Sequence, residues 1–183
     1  RLTDVTGVQT CALPIWEMEA AGIVLDVTHM SDRGFAESLD LFGGPVLASH
    51  HNCRALVPGE RQMSDNQIRK LAGRGGVIGV ALDAWMLEPG WKKGESVPSA
   101  TLETAADHID HITQVTGSCA NVGIGSDLDG GFGTEQCPAD VDTIADVSRL
   151  EDILAEREYS DDEIASVLYR NWVGFFLKAF KGI

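Results

Sequence analysis

The chain has 183 residues, of which 44% are hydrophobic and 23% are charged, and its formal net charge at pH 7 is −14. This balance is typical of a soluble globular protein with one domain or slightly more. The acidic charge disfavours binding to nucleic acid or to anionic membranes. No apolar stretch approaches the roughly 20 residues that span a bilayer, so we expect no transmembrane segment.

The cysteines indicate a reducing environment. The four of them are widely spaced and form no CxxC motif: Cys11, Cys53, Cys119 and Cys137. This spacing favours free thiols over a disulfide framework or a cysteine-based zinc site. The chain also has no secretory signal pattern, so a cytoplasmic location is expected, although a signal upstream of this chain would escape that inference.

Residues 1–15 are interpreted as foreign to the domain. Residues 5–15 match, codon by codon, the translation of a common short-read sequencing adapter. Segments of this kind are excluded from reasoning about the fold. We therefore expect the domain to span residues 16–183 and to begin in the middle of an element, with the gene's own upstream sequence missing.

From residue 16 onward, short apolar runs alternate with helical patterns. In chain order the pattern predicts a helix at 16–21, a strand at 22–28, a helix at 31–42, a strand at 45–49, a helix at 64–74, a strand at 77–82, a helix at 101–115, a strand at 121–126, and helices at 144–157 and 160–180. Ser31 is a predicted N-cap, and Ser64 with Gln67 forms a capping-box pattern. The strands are almost wholly apolar, as expected for a parallel sheet that is covered on both faces.

Alternation of strands and helices predicts an α/β fold built from right-handed parallel βαβ units. Four such units in sequence make half of a (β/α)8 barrel. A small open doubly wound sheet is the alternative. No glycine-rich phosphate loop follows any predicted strand, which disfavours nucleotide binding.

Three polar residues follow directly after predicted strands. His29 comes after the first strand, His50 after the second and Asp127 after the fourth. In a βα barrel, sites are built at this carboxyl-terminal rim. Imidazole and carboxylate ligands suit Zn²⁺, so the pattern predicts a metal site. Asp127 is open to three roles, as a metal ligand, a helix N-cap or a general base; Asp129 is a weaker candidate because its Asp-Gly pair also predicts a turn.

Six segments resemble the membrane dipeptidase family (renal dipeptidase, peptidase M19), and they follow the family's order and spacing from about Trp16 to Phe180. These segments are residues 26–31, 48–55, 61–65, 74–80, 108–112 and 123–130. The resemblance implies the carboxyl-terminal half of a TIM-like barrel of the amidohydrolase type. It also implies two zinc ions in the full-length protein, hydrolysis of dipeptides by a metal-bridging hydroxide, and a homodimer as a candidate assembly.

The resemblance assigns roles to individual residues. It implies that His29 and His50 bind the second zinc ion and that Asp127 exchanges a proton with the attacking water. It implies that Arg61 holds the carboxyl-terminal carboxylate of the dipeptide, which agrees with the bidentate pairing of guanidinium and carboxylate groups. Without the resemblance, Arg61 would be interpreted as a solvated loop charge.

Other polar residues are expected to have structural roles: His51, His108, His111 and Asn171. The loop at residues 83–99, with Trp85 and Trp91, is a candidate cover for the site. This loop departs from the better-known members of the family, which leaves the substrate preference open.

Several of the family's site residues have no counterpart in this chain. Its first-strand His-x-Asp, its bridging glutamate and a further histidine would all lie upstream of Gly22. We therefore expect a truncated, nearly inactive fragment with at most one partial zinc site. The alternatives are an amidohydrolase-type enzyme that acts on a lactone, a cyclic amide or a phosphoester, and a non-catalytic half-barrel interaction module with exposed strand edges at Gly22 and Asn121.

Overall fold

The computed structural model describes residues 13–128 and 130–181. Most of the segment interpreted as foreign, with Cys11, lies outside the described residues, and so does Asp129. The first helix, α1, has residues 13–20 within the described range and so includes residues 13–15 of that segment. None of the helices in this range is long and apolar enough to cross a membrane.

Four short parallel strands lie at the centre of the fold: β1 (Leu25–Asp26), β2 (Val46–Leu47), β3 (Ile78–Val80) and β4 (Val122–Ile124). β1 pairs with β2 and β3 pairs with β4. A parallel bridge between Ala48 and Ile78 joins the two pairs, so the strands follow one another in chain order. Every predicted strand is present but is only two or three residues long.

The helices after the strands are α2 (Asp32–Leu41), α3 (Asp65–Gly73), α4 (Ala84–Leu87), α5 (Leu102–Thr116), α6 (Leu150–Glu156), α7 (Asp161–Ala165) and α8 (Asn171–Ala179). All of them lie at predicted places except the short α4, which lies in the segment predicted to be a loop. Both predicted caps are confirmed. Ser31 Oγ accepts a hydrogen bond from the Gly34 amide at 3.1 Å, and Ser64 with Gln67 forms a complete capping box.

The two predictions for the carboxyl-terminal helices are wrong in detail. The first helix there begins as a 3-10 helix (Ile144–Arg149) before it becomes α6. The second is interrupted by a π-helical turn (Ser166–Arg170) between α7 and α8. Ser166 Oγ donates to the carbonyl of Asp162, and such bonds to the preceding turn bend helices. A side-chain bond of this kind leaves no trace in the apolar spacing from which the helix was predicted.

The sheet is covered on two faces, as the apolar strands predict. Side chains of alternate residues pack against α2, α3 and α5 in the main core, including Val46, Ile78 and Val122. The residues between them point to the opposite face, where Leu47 and Val77 pack against Phe175 of α8. We call this second surface the α8 face. It places α8 across the sheet on the side away from the other helices.

Candidate functional site

The site lies at the carboxyl ends of the four strands. Each strand is followed, three residues after its last residue, by an ionisable side chain: His29, His50, Asp83 and Asp127. Because the strands are parallel and adjacent, these positions fall on one rim. Three of the four were predicted from sequence.

The structure brings the predicted residues together. The Nε2 atoms of His29 and His50 lie 3.0 Å apart, with the rings edge to face at 68°. Asp127 Oδ2 lies 3.7 Å from His50 Nε2. Arg61 joins the group from the long loop after β2, because its Nη2 donates to the backbone carbonyl of His50 at 3.0 Å.

A hydrogen-bond network beneath the rim fixes the ring of His50. Ser49 Oγ lies 2.9 Å from His50 Nδ1, and Asp26 Oδ1 accepts from the backbone amides of Ser49 and Thr28. Burial opposes ionisation of Asp26, but hydrogen bonds from Ser49 and Thr28 outweigh it and lower the pKa of that carboxyl group. When His50 Nδ1 carries the proton and donates to Ser49, Nε2 is left as a free lone-pair donor on the rim.

The charge state of His50 suits a metal ligand. Burial lowers the pKa of His50; Asp127 opposes this shift, while the positive charges of Arg61 and His29 reinforce it. The ring is therefore neutral at neutral pH. Neutral imidazole is the form that binds metal ions.

Two of the rim residues have unusual backbone conformations. His29 has φ of 67° and Asp127 has φ of 58°, both in the left-handed region. Residues other than glycine rarely adopt this region, at a cost of roughly 1–3 kcal/mol, and such strain clusters at functional sites. In both residues this conformation changes the direction of the backbone just after the strand ends.

The histidine pair fits one shared zinc ion. Zn–N bonds are about 2.0–2.1 Å long, so two nitrogens on one ion lie within about 4 Å of each other. The 3.0 Å between the two Nε2 atoms meets that condition. Within residues 13–128 and 130–181, no group of three or more His, Cys, Asp or Glu side chains is arranged to hold a metal ion. Metal binding by the pair of His29 and His50 therefore stays a prediction.

Arg61 presents unused hydrogen-bond donors beside the histidines. Its Nε and Nη1 are buried and have no partner among the described residues. Burial lowers the pKa of Arg61, and the negative charges of Asp127, Asp83 and Asp26 oppose that shift. An unpaired buried donor is costly, and unused donors on a guanidinium suit a negatively charged acceptor such as a carboxylate.

Asp83 is a rim residue that the sequence prediction missed. The residue is only 5% exposed, and its carboxylate accepts from Gln136 Nε2 at 2.8 Å on each oxygen and from Trp85 Nε1 at 2.6 Å. Burial raises the pKa of Asp83, while the bonds from Gln136 and Trp85 lower it in part. The contacts join the loop after β3 to the loop after β4. Asp83 lies as far after β3 as the other three rim residues lie after their strands. This shared spacing could have identified Asp83 from the sequence.

The remaining polar residues have the structural contacts expected of them. His108 Nδ1 accepts from the amide of Cys53 at 3.0 Å, and His111 pairs with Asp65 at 2.8 Å. His51 is buried. Asn171 donates to two backbone carbonyls near β4 at 2.7 Å. Whether the loop at residues 83–99 covers the site stays a prediction.

Acid is expected to destabilise the chain through His108. Burial, reinforced by His111, lowers the pKa of His108 from 6.5 to about 4. The unfolded chain therefore takes up the proton first as the pH falls below 6.5, and the free energy of unfolding decreases by up to about 3 kcal/mol between pH 6.5 and 4. Urea unfolding at a series of pH values measures this slope.

His108→Asn provides the control for that series, because Asn retains an acceptor for Cys53 but does not titrate. We expect the His108→Asn variant to be less stable at pH 7 and its free energy of unfolding to change less steeply with pH. The remaining pH dependence would come from His51, whose pKa is lowered by burial to about 3. Parallel curves for the variant and the wild type would contradict the assignment.

The model of the membrane dipeptidase family, peptidase family M19, matches residues 13–180 of the chain. An uncharacterized protein in the pqqA 5′ region of Klebsiella pneumoniae is 30% identical over 159 residues, which cover 87% of this chain and 56% of that protein. An uncharacterized dipeptidase of Schizosaccharomyces pombe is 34% identical over 143 residues, which cover 78% of this chain and 31% of that dipeptidase.

The fold is also that of a solved relative. The crystal structure of a Rhodobacter sphaeroides metallopeptidase, liganded with a phosphinate mimic of the dipeptide L-Ala-D-Ala, aligns with a TM-score of 0.81 at 22% sequence identity. The alignment covers 92% of this chain and 46% of the metallopeptidase. The chain thus spans between about a third and just over half of the length of these relatives.

Proposed function

Because the chain belongs to the membrane dipeptidase family, peptidase family M19, we propose that it supplies one half of a zinc-dependent dipeptidase site. The observation that carries this proposal is the convergence of His29, His50, Asp127 and Arg61 on one rim of the sheet. These side chains offer a metal-binding pair, a proton acceptor and a carboxylate anchor. Together they match what hydrolysis of a small peptide requires.

We propose that residues 16–183 are the second half of a (β/α)8 barrel and that residues 1–15 are foreign to it. Four parallel strands in chain order, with α2, α3 and α5 packed on one face, support the half-barrel. The span of 46% of the metallopeptidase from R. sphaeroides supports it as well.

In this proposal His29 and His50 hold one zinc ion through their Nε2 atoms, and further ligands come from outside the described residues. When bound, zinc supplies Lewis acidity, which polarises a carbonyl group and lowers the pKa of water. The hydrogen bond that His50 Nδ1 donates to Ser49 Oγ keeps Nε2 directed at the rim. Removal of that bond would let the ring rotate.

Asp127 has the position of the proton-transfer residue. Its carboxylate lies within 3.7 Å of His50 and its side chain is 25% exposed, so water at the metal site can reach it. Asp127 accepts the proton of the water that attacks the peptide carbonyl and returns it to the nitrogen of the leaving amine. The carboxylate ends the cycle unchanged.

Arg61 orients the substrate. Its unused donors provide charged hydrogen bonds to the dipeptide's terminal carboxylate, and its bond to the carbonyl of His50 holds the guanidinium beside the two histidines. This arrangement selects peptides whose terminal carboxylate lies one residue from the scissile bond. The R. sphaeroides relative, which binds a mimic of L-Ala-D-Ala, supports a dipeptide substrate.

A covalent chimera tests the proposal. It joins the first half of the R. sphaeroides metallopeptidase to residues 16–183 of this chain and is assayed with zinc against dipeptides, lactones, cyclic amides and phosphoesters. We expect hydrolysis of dipeptides by the chimera and almost none by the present chain alone. A folded, zinc-loaded chimera that prefers one of the other substrates would support a different amidohydrolase-type activity, and one inactive on all of them would support a non-catalytic half-barrel.

Arg61→Ala in the chimera is expected to raise KM for dipeptides by roughly 10- to 100-fold, the value of a hydrogen-bonded charge pair of about 1.5–3 kcal/mol. The change in kcat should be smaller, because Arg61 binds a part of the substrate away from the reacting carbonyl. Arg69→Ala, on the exposed side of α3, is the matched control and should leave KM unchanged. A drop in kcat with unchanged KM would show that Arg61 does not anchor the carboxylate.

A further inference from the structure

We propose that Asp83 is a positioning residue that fixes the indole of Trp85 at the rim, where the ring forms an apolar wall for one side chain of the substrate. That side chain belongs to the residue whose carboxylate Arg61 holds. The inference rests on the proposed function and deepens it, because it names the substrate class as dipeptides with an apolar carboxyl-terminal residue.

Asp83 holds Trp85 by two hydrogen bonds. Its Oδ2 accepts from the indole Nε1 at 2.6 Å, and its Oδ1 accepts from the backbone amide of Trp85 at 3.4 Å. A hydrogen bond to an ionised carboxylate is about twice as strong as a neutral one. Gln136 Nε2 donates to both oxygens at 2.8 Å and so holds the carboxylate itself in place. The orientation of the indole is therefore fixed through its polar edge.

Asp83 is poorly placed to bind a metal ion. It shares the spacing of His29, His50 and Asp127, three residues after its strand, which would suit a further ligand. However, its two oxygens already accept from an indole, a backbone amide and a side-chain amide. In the part of the chain that the structure describes, it belongs to no group of three metal-binding side chains. Its contacts indicate that it acts through its neighbours.

Trp85 is the outward residue of a helix that is otherwise buried. Ala84, Met86 and Leu87 of α4 are buried, whereas Trp85 is 39% exposed. The indole N–H is the only polar group of this side chain and is bonded to Asp83, so the open part of the ring is apolar surface. A fixed tryptophan ring offers a large contact area at a low cost in conformational entropy.

The helix α4 is bonded directly to the segment that carries Arg61. Gln62, the next residue after Arg61, donates from Nε2 to the carbonyl of Met86 at 3.2 Å, and Met86 is the next residue after Trp85. Asn52 Nδ2 donates to the same carbonyl at 3.1 Å. Gln62 and Asn52 are both buried. Arg61 and Trp85 thus lie on two segments that are joined at adjacent residues.

The charges of the rim agree with this proximity. Burial lowers the pKa of Arg61, and the negative charge of Asp83 is one of those that oppose the shift. In an amino-acid residue the carboxylate and the side chain are attached to the same carbon atom. A carboxylate held by Arg61 therefore brings the adjoining side chain within reach of Trp85. An apolar side chain gains from this contact because apolar surface is removed from water, and a polar one such as serine does not.

Free leucine and serine test the wall without catalysis. Each is titrated, in its D and L forms, into the 183-residue chain with nitrogen-15 in its tryptophans, and NMR follows the indole N–H signal of Trp85. Trp85→Phe identifies that signal. We expect leucine to shift it and to bind at least about 10-fold more tightly than serine of the same configuration, since one methylene in an apolar pocket contributes a difference of that order.

Trp85→Ala should bring the ratio of leucine to serine affinity close to one. Serine binding itself should not change, because it depends on Arg61. Trp16→Ala is the matched control, since Trp16 is an exposed tryptophan of α1. It should keep the ratio of the wild type.

An exchange of donor and acceptor between Asp83 and Gln136 tests the positioning role. Gln136→Glu alone sets two carboxylates against each other and should lower the leucine-to-serine ratio, because the indole is released. The addition of Asp83→Asn supplies an amide that donates to the new carboxylate, while its oxygen still accepts from Trp85 Nε1. The combined variant should recover the ratio. A structural role alone would change the stability of these variants and leave the ratio unaltered.

Each outcome decides the proposal. Absence of leucine binding, equal binding of leucine and serine, or an unchanged ratio in Trp85→Ala would overturn the wall, and an unchanged ratio in Gln136→Glu would overturn the role of Asp83. The wild-type titration gives a decision even where a variant fails to fold. An inactive covalent chimera, with leucine still preferred by the 183-residue chain, would count against the proposed function alone. An active chimera with equal KM for L-Ala-D-Leu and L-Ala-D-Ser would do the reverse.

Discussion

Gly125→Ala is expected to destabilise the chain by about 3 kcal/mol or more and to disrupt the metal-binding pair. A Cβ atom at Gly125 would collide with the carbonyl oxygen of Ser49 and with the Cα of Gly79. Both neighbours are backbone atoms, so no flexible side chain can move aside. Overpacking usually costs about 1–3 kcal/mol, and a clash with backbone on two strands belongs at or above the upper end.

The effect should reach the site because Ser49 precedes His50. Displacement of the Ser49 carbonyl would move the ring of His50 away from His29, so zinc affinity should fall together with stability. Urea unfolding and zinc titration of the same variant measure both effects.

Gly174→Ala is the matched control. Gly174 lies inside α8 and a Cβ there would meet nothing within 4 Å. We expect a gain of about 0.5–1 kcal/mol, because alanine favours the helix. Equal stabilities for Gly125→Ala and the wild type would contradict the close approach of the three strands.

Asp127→Asn in the covalent chimera is expected to lower kcat for dipeptides by roughly 10²- to 10⁴-fold, the usual contribution of a general acid–base residue. Asparagine has nearly the same shape as aspartate and tolerates the left-handed backbone of this position, where φ is 58°. Folding and KM should therefore change little. The loss would come from the missing proton acceptor.

Asp142→Asn, an exposed carboxylate in the same half of the chain, provides the control for the change in net charge. Its kcat should equal that of the unaltered chimera. An Asp127→Asn chimera with near-normal kcat would remove Asp127 from the proton transfer and leave its other predicted roles, metal ligand or helix N-cap.

The sequence predicted the parts of the fold that depend on local chemistry. Ser31 and Ser64 marked the beginnings of two helices because a hydroxyl oxygen satisfies free amides at a helix N-terminus. His29, His50 and Asp127 were recognised as one group because the carboxyl ends of neighbouring parallel strands meet at one edge. The 3.0 Å between the Nε2 atoms of His29 and His50 and the 3.7 Å between Asp127 Oδ2 and His50 Nε2 agree with that expectation.

Other features depend on contacts between distant segments and left weaker signals. Asp83 was passed over although it has the same spacing after its strand, because its partner Gln136 lies 53 residues away and the Asp83–Trp85 segment was interpreted as a loop. The position of α8 across the sheet depends on Trp172 packing over Gly123, a contact made possible only by the missing side chain. Neither contact can be predicted from periodicity alone.

X-ray absorption spectroscopy of the zinc-loaded 183-residue chain tests most directly whether His29 and His50 share one zinc ion. We expect one zinc per chain with two imidazole nitrogens at about 2.0–2.1 Å. The variant with both His29→Ala and His50→Ala should lose this signature and bind zinc more than about 100-fold more weakly, since even the outer partners of metal ligands contribute 10- to 100-fold. Equal zinc affinity and an unchanged spectrum in the double variant would contradict the assignment of the rim as a metal site.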